Sequence, residues 1–431
     1  MRLVVIGNSG SGKSSYAAQL ARLHDLAHLD LDTIAWEPKR IAVPRSPAAA
    51  RAELERFIAE HEGWVVEGCY ADLAGIAAAT CTELVFMNPG VEACLANAHR
   101  RPWEPHKYDT AGDQQLMLAH LLEWIEAYSM RDDATSYAAH RRLFDAHPGP
   151  KRELDADAAA IVHAFPQLET RGIARVDGGW TSATFEVGER IVQLARTPYA
   201  ADTLRHQMRV LPLLAPRLGV AIPQLELVSV EPVAIAYRKL AGEPCDRAPA
   251  GAWPEQLGRF VRELHAIAPG DLGLAPLTVA EFRARVRADL ARMRAHVAPR
   301  LSPAERARAD ALAAALVDDD RNWRFELVVT HGDLGPDHVL VGPAGALAAV
   351  IDWEDVGAGD PAGDFAWWLH AMPSASERAL AAYGVPSDER FRARAACLFA
   401  VMPWHDVEHG VETGDPESIA AGLAEIRARL P

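Results

Sequence analysis

Two groups of residues have the types and spacings that handle phosphate. Near the start stand Gly7-Asn8-Ser9-Gly10-Ser11-Gly12-Lys13-Ser14. Glycines that free the backbone, followed by a lysine and a hydroxyl, let main-chain N–H groups close around phosphate oxygens and add an ammonium. Far along the chain stand His331-Gly332-Asp333-Leu334-Gly335-Pro336-Asp337-His338 and Ile351-Asp352-Trp353. Asp333 and Asp352 each follow an apolar run. Two carboxylates on adjacent turns suit phosphoryl transfer from Mg-ATP. One receives or orients the proton of a hydroxyl, and the other holds the metal ion bridging the phosphates.

The first group fills every position of the phosphate loop (P-loop), with Gly7, Gly10 and Gly12 in the loop and Lys13, Ser14 and Ser15 opening the next helix. The helix N-terminus adds partial positive charge. Lys13 is expected to reach the outer phosphates and Ser14 a Mg²⁺ ion. Next comes His28-Leu29-Asp30-Leu31-Asp32. Two carboxylates two apart at a strand end point to one side of the sheet. Asp30 is expected at the metal, and Asp32 as the base that accepts a hydroxyl proton. The plainer reading of Asp32 is a helix cap before Thr33-Ile34-Ala35-Trp36.

Elements must position these residues. Strand-like runs at Leu3–Ile6, Ala27–Leu29, Trp64–Val66 and Leu84–Met87 alternate with helical patterns such as Pro47–Glu60, where Ser46 caps and Pro47 begins the helix. That alternation predicts an α/β domain with a parallel sheet. The pattern is helical almost throughout from Gln114 to Phe144. His147-Pro148-Gly149-Pro150 breaks the chain, and the domain boundary is placed near residue 153. Short strands follow at Ile173–Val176, Ala183–Val187 and Ile191–Ala195, then a helix at Asp202–Leu214 and strands at Leu225–Val230 and Val233–Tyr237. Beyond Gly242 the pattern is mostly helical, except at Glu326–Thr330 and Leu347–Ile351, which bracket the second group.

A chain of 431 residues exceeds one ordinary core, so two domains are expected. No apolar run is long enough to span a bilayer, and the start reads as a buried strand rather than a signal peptide. A cytoplasmic location without membrane contact is expected. Five cysteines without CxxC spacing read as plain thiols. A net charge of −15 disfavours a nucleic-acid partner. It suits a small or cationic acceptor, or simple solubility.

Residues 1–153 resemble the adenylate-kinase-like and shikimate-kinase-like P-loop proteins, including those described as DNA topology modulation proteins. The resemblance rests on the glycine loop, Leu29-Asp30 with Trp36, and Trp64-Val65-Val66-Glu67-Gly68-Cys69-Tyr70. It implies that arginines of the His99-Arg100-Arg101-Pro102-Trp103 group close on the transferring phosphate; the alternative for Arg100 and Arg101 is a solvated helix end. Asn88 ends a strand where many P-loop proteins carry an acid. Its neutrality shifts the metal to Ser14 and Asp30.

Residues 154–431 resemble the aminoglycoside phosphotransferase family, through the histidine–glycine–aspartate loop at 331–333, Ile351-Asp352-Trp353, and the downstream Asp360-Pro361 and Asp364. The resemblance implies an α+β, two-lobed protein-kinase-like domain, with an N-lobe of about 154–241 and a C-lobe of about 242–431. It implies Asp333 as the catalytic carboxylate, with Asp352 and His338 at Mg²⁺. Gly178 and Gly179 begin the loop over the nucleotide, and Tyr237 and Lys239 lie in the hinge beside adenine. Two positions depart from the family pattern. The strand cation falls on Gln193, and its helix glutamate partner falls on Gln207. Trp367, Trp368, His370, Trp404, His405, Asp406, Glu408 and Glu412 lie where late helices build the acceptor pocket, or else they are core.

The sequence thus predicts ATP- or GTP-dependent phosphorylation of a small-molecule hydroxyl, on an aminoglycoside-like antibiotic or a metabolite, by the C-terminal domain. A second nucleotide-binding domain precedes it. The alternative is a nucleotide sensor with a weak or inactive kinase-like domain.

Overall fold

Short apolar runs, each followed by a helix, form a parallel sheet when helices cover both faces. The computed structural model describes residues 1–37, 43–101, 110–165, 173–176, 182–384 and 388–430. It divides into two compact units. One is Met1–Asp177 with Ala183–Gly188, and the other is Glu189–Pro431, which Ser182 joins.

In the first unit the elements run β1 (Arg2–Gly7), α1 (Lys13–His24), β2 (Ala27–Asp30), α2 (Asp32–Ala35), α3 (Pro47–Glu60), β3 (Trp64–Gly68), α4 (Ala71–Ala78), β4 (Glu83–Met87), α5 (Val91–His99), α6 (Ala111–Glu126), α7 (Tyr137–Ala146), β5 (Lys151–Leu154) and α8 (Ala156–Ala164). The sheet is parallel in the order β2-β3-β1-β4-β5. β1 is central, with Val4 beside Val66 on one side and Leu84 on the other. Its residues Leu3 to Ile6 are buried. Ligands of such sheets gather at the carboxyl ends of the strands, where the chain turns from one half of the sheet to the other. The glycine loop leaves β1 there.

Ser46 caps α3 through Ala49 N–H, with Pro47 opening the helix. The helical pattern expected from Gln114 to Phe144 is interrupted. Asp133 Oδ1 accepts the backbone N–H and the hydroxyl of Thr135, and Ser136 then caps α7. Side chains that satisfy the backbone locally compete with helix continuation. After the Pro148-Gly149-Pro150 break, β5 pairs with β4 and α8 follows, with Gln19 of α1 donating to the Phe165 carbonyl. The boundary placed at 153 falls inside β5. An antiparallel pair, β6 (Ala174–Val176) and β7 (Ser182–Val187), completes this part of the chain.

The second unit begins with β8 (Arg190–Ala195), α9 (Pro198–Leu214), β9 (Glu226–Val230) and β10 (Val233–Arg238). β10 pairs antiparallel with both β8 and β9. Then come β11 (Glu243–Pro244), α10 (Trp253–His265), α11 (Val279–Val297), α12 (Pro303–Val317), β12 (Val328–Thr330), β13 (Val339–Val341), β14 (Leu347–Val350), β15 (Gly357–Gly359) and α13 (Ala366–Ala371). Helices α14 (Pro373–Tyr383), α15 (Glu389–Val401), α16 (Pro403–Thr413) and α17 (Pro416–Arg429) close the chain. α10 buries Leu257, Phe260, Val261 and Leu264 in a core shared with Trp353, Phe365 and Trp368. Strand content beyond Gly242 exceeds the two runs expected, because β11, β13 and β15 are two or three residues long, too short to show alternation. Among the described residues no helix is long and apolar enough to cross a membrane.

Candidate phosphoryl-transfer sites

Two short ladders bring the acidic loops of the second unit together. β12 pairs with β15, and β13 with β14. The loop from β12 to β13 carries Asp333 and His338, and the loop from β14 to β15 carries Asp352. Cross-bonds lock the loops to each other. Ile351 N–H donates to the His338 carbonyl at 2.9 Å, and His331 Nε2 donates to the Ile351 carbonyl at 3.0 Å. Burial holds the His331 imidazole down at about 4, so it is neutral. Gly332 has φ 92°, and a Cβ there would lie 2.5 Å from the Asp355 carbonyl. Only glycine lets the loops approach this closely. Asp352 itself sits in the left-handed region, φ 62°, a conformation that surrounding structure must impose on a non-glycine residue.

His338 links the two carboxylates. Its Nδ1 donates to the Asp333 carbonyl at 2.7 Å, and its Nε2 faces Asp352 Oδ2 at 3.4 Å and Asp337 Oδ2 at 3.5 Å. Burial works against the imidazolium, but Asp352, Asp333 and Asp337 together hold its pKa above the ordinary histidine value. Asp333 is pushed up to about 6 by burial and by Asp355, Asp352 and Asp337, against the pull of His338. Its side chain keeps 48 % of its exposure. Asp352 keeps 42 %. Both carboxylates remain open to a ligand.

Asp364 fastens the loop that carries Asp333. Its two oxygens accept the N–H groups of His331 and Gly332, each at 3.0 Å, and His265 Nε2 at 3.1 Å. His265 is held in turn by the Tyr383 hydroxyl. Burial would raise the Asp364 carboxyl, yet His265 keeps it below its ordinary value. Asp360 makes a buried bidentate pair with Arg394.

Of the residues expected near the nucleotide, Gln193 of β8 and Gln207 of α9 are both buried. Gln207 Nε2 has no hydrogen-bond partner. Tyr237 is buried on β10, where burial and the charges of Asp352 and Glu354 hold its phenol above the ordinary range. Lys239 is exposed just past β10. Gly178 and Gly179 lie outside the described residues. On the acceptor side, Trp368 and Trp404 are core, and Glu408 is engaged by Arg292 in two hydrogen bonds. Trp367 instead stands near the catalytic loop, its Nε1 3.9 Å from where a Gly335 Cβ would be.

In the first unit the glycine loop is held from several sides. Asn8 donates to the Ile125 carbonyl, and Asn97 to the Gly10 carbonyl. A Cβ at Gly7 would lie 2.4 Å from the Met87 carbonyl oxygen, and one at Gly10 2.3 Å from that of Cys94. Gly12 caps α1 in the left-handed region, and Lys13 is buried. Ser14 and Ser15 are exposed. Arg101 reaches the loop, its Nη2 donating to Ser9 Oγ at 3.1 Å. Arg100 lies on the exposed end of α5.

Asp32 does not cap α2 with its side chain. Its Oδ1 accepts the Tyr70 hydroxyl at 2.7 Å, and Tyr70 accepts Trp36 Nε1 at 2.6 Å. Asp30 Oδ1 accepts the Asp32 N–H. The acid that sequence reasoning missed is Glu67. It is the penultimate residue of β3, which lies directly beside β1, and its side chain is buried with His28 Nε2 4.0 Å from Oε1. Burial pushes its carboxyl up to about 7; Lys13 and the nearby Ser14 hydroxyl pull it down, and Asp30 and Asp32 push it up. Burial opposes the Lys13 ammonium, but Cys69, Glu67, Asp32 and Asp30 around it hold it above the lysine value. Asn88 itself bonds Glu153. The signal was a glutamate near the end of an apolar strand. A buried carboxylate beside a glycine-rich loop and a helix N-terminus fits a divalent cation.

Residues 172–427 match the model of the phosphotransferase enzyme family (APH). Viomycin phosphotransferase of Streptomyces vinaceus is 28 % identical over 259 residues, 55 % of this chain and 87 % of that protein. Among solved structures, a GDP and kanamycin complex of APH(2")-IIia is 21 % identical with TM-score 0.55, covering 62 % of this chain and 96 % of its own. A macrolide 2'-phosphotransferase type I is 20 % identical with TM-score 0.52, covering 68 % and 97 %. These likenesses show a kinase-like phosphotransferase fold.

Proposed function

We propose, for a chain that belongs to the phosphotransferase enzyme family and is thereby an enzyme acting on an alcohol group, that its C-terminal domain moves the outer phosphoryl group of ATP or GTP to a hydroxyl of a small molecule. Asp333 receives or orients the hydroxyl proton. Asp352 and His338 hold the Mg²⁺ ion. When bound, that ion neutralises charge on the phosphates. The carrying observation is the convergence of Asp333, His338 and Asp352 on two cross-bonded loops. The donated Nδ1 proton leaves His338 Nε2 as a ligand atom facing Asp352, which fits a metal.

The acceptor is an antibiotic of the viomycin or aminoglycoside kind, or a metabolite with a similar hydroxyl. The viomycin enzyme supports that class, and the acidic surface suits a cationic acceptor. Incubating the chain with Mg-ATP or Mg-GTP and an acceptor panel that includes viomycin and kanamycin tests this. Nucleoside diphosphate release that depends on one acceptor supports it. Release that no acceptor stimulates, and that Asp333→Asn leaves unchanged, contradicts it.

The first unit is read as a P-loop nucleotide-binding domain. Gly7, Gly10, Gly12, Lys13, Ser14 and Ser15 enclose the phosphates, Arg101 and Arg100 approach them, and Asp32 serves as base. Ser14, Asp30 and Glu67 hold Mg²⁺. The sensor alternative keeps one specific support, the buried and unpartnered Gln207 Nε2. Acceptor-independent binding of nucleotide without transfer would favour it.

A further inference from the structure

The family's strand–helix ion pair is replaced here by Gln193 and Gln207. In kinase-like sites such a pair and the metal-holding aspartate must be in place together. Something else must fix α9 relative to the metal loop. The residue next to Gln207 does so. His206 Nε2 lies 2.9 Å from the Val356 carbonyl oxygen, which accepts its proton. Val356 follows Asp352 by four residues, and its side chain is buried. Its N–H is bonded to the Trp353 carbonyl, so it closes the turn that begins directly after Asp352. The adjoining Asp355 carbonyl is the group against which Gly332 packs. A shift of α9 is thus passed to the metal loop and, through Asp355, to the catalytic loop.

We propose that His206 is a positioning residue that couples α9 to the Asp352 loop by a hydrogen bond to the Val356 carbonyl, taking over the mechanical role of the missing ion pair. It sets where Asp352 stands when the nucleotide arrives. The inference rests on the second-unit site proposed above.

The test measures Mg-ATP affinity by calorimetry in the full chain carrying Lys13→Ala, so that the first unit does not contribute. His206→Gln keeps a donor at the Nε2 position and should bind within about twofold of the parent. His206→Asn has a donor only at the Nδ1 position, cannot reach Val356, and should bind about five- to tenfold more weakly, the size of one hydrogen bond. Both variants are small and polar, so both are expected to fold. With Gln193→Lys and Gln207→Glu added, the His206→Asn loss should shrink below about twofold, because the ion pair then fixes α9. Equal affinity of the Asn and Gln variants overturns the proposal. So does an undiminished loss in the ion-pair background, which marks a merely local structural role. If Asp352→Asn leaves Mg-ATP affinity unchanged, the site reading itself fails, and the proposal falls with it.

Discussion

His338 Nδ1 donates its proton to the main-chain carbonyl of Asp333. That bond fixes the tautomer and aims Nε2 at Asp352. The loop carrying Asp333 thereby presents an imidazole nitrogen to the Asp352 carboxylate on the neighbouring loop, and the first prediction rests on this link.

Replacing His338 by Ala should raise the Mg²⁺ concentration needed for half-maximal nucleotide binding by about 10- to 100-fold, as expected on losing one ligand. His338→Asn restores an oxygen, which suits Mg²⁺ better, and should recover most of the affinity. Magnesium titrations at fixed ATP, with Lys13→Ala in each variant, check both.

Asp364→Ala strands the N–H groups of His331 and Gly332 together with His265. Unpaired buried groups of this kind cost on the order of 3 kcal/mol in all. Chemical denaturation should show the loss in the second unit. Asp364→Asn keeps one acceptor oxygen and should lose less.

Lys13→Ala should remove nucleotide from the first unit, lowering the stoichiometry of ATP binding from two to one. Glu67→Gln should leave binding without metal nearly unchanged and weaken its Mg²⁺ dependence. Equilibrium dialysis with and without chelator separates the two effects. Unchanged stoichiometry in Lys13→Ala would remove the phosphate-loop reading.

His140 gives the first unit a pH dependence. Its Nε2 donates to the Cys69 carbonyl, so its Nδ1 accepts from the Tyr128 hydroxyl. Burial pushes the imidazole down to about 4. The folded value lies below the unfolded one, near 6.5. The unfolded chain therefore binds the proton first, and stability present in full above about pH 6.5 is lost as the pH falls toward 4. The loss approaches about 3 kcal/mol. Hydrogen exchange in residues 137–146 should quicken between pH 7 and pH 5, after correction for intrinsic rates, and do so less in His140→Gln.

Local spacing made much of this legible. The glycine loop, the paired Asp30 and Asp32, and the loops around Asp333 and Asp352 are contiguous motifs, and neighbouring residues carry their signal. The cap at Ser46 was legible for the same reason. Glu67 was not, because its place beside Lys13 arises from β3 lying next to β1, a pairing between distant segments. Asn88 drew attention instead, since it also ends a strand beside β1. The turn at Asp133–Ser136 was hidden inside a helical pattern because its side-chain bonds leave the apolar spacing intact. Trp367 could not be told from Trp368 and Trp404 by type. Only packing sends two into the core and leaves one near the catalytic loop. His206 was passed over because its partner is a main-chain carbonyl, which no side-chain pattern records.

The most direct test of the central claim follows label from the γ-phosphate of ATP onto the acceptor in the parent, Asp333→Asn and Asp352→Asn chains, each carrying Lys13→Ala, with Mg-ATP affinity measured alongside. The predicted result is transfer in the parent. In Asp333→Asn transfer should fall by about 10²- to 10⁴-fold with affinity nearly intact, and in Asp352→Asn affinity itself should be lost. Transfer that survives Asp333→Asn, or equal loss of affinity in both variants, would contradict the division of work between these two carboxylates.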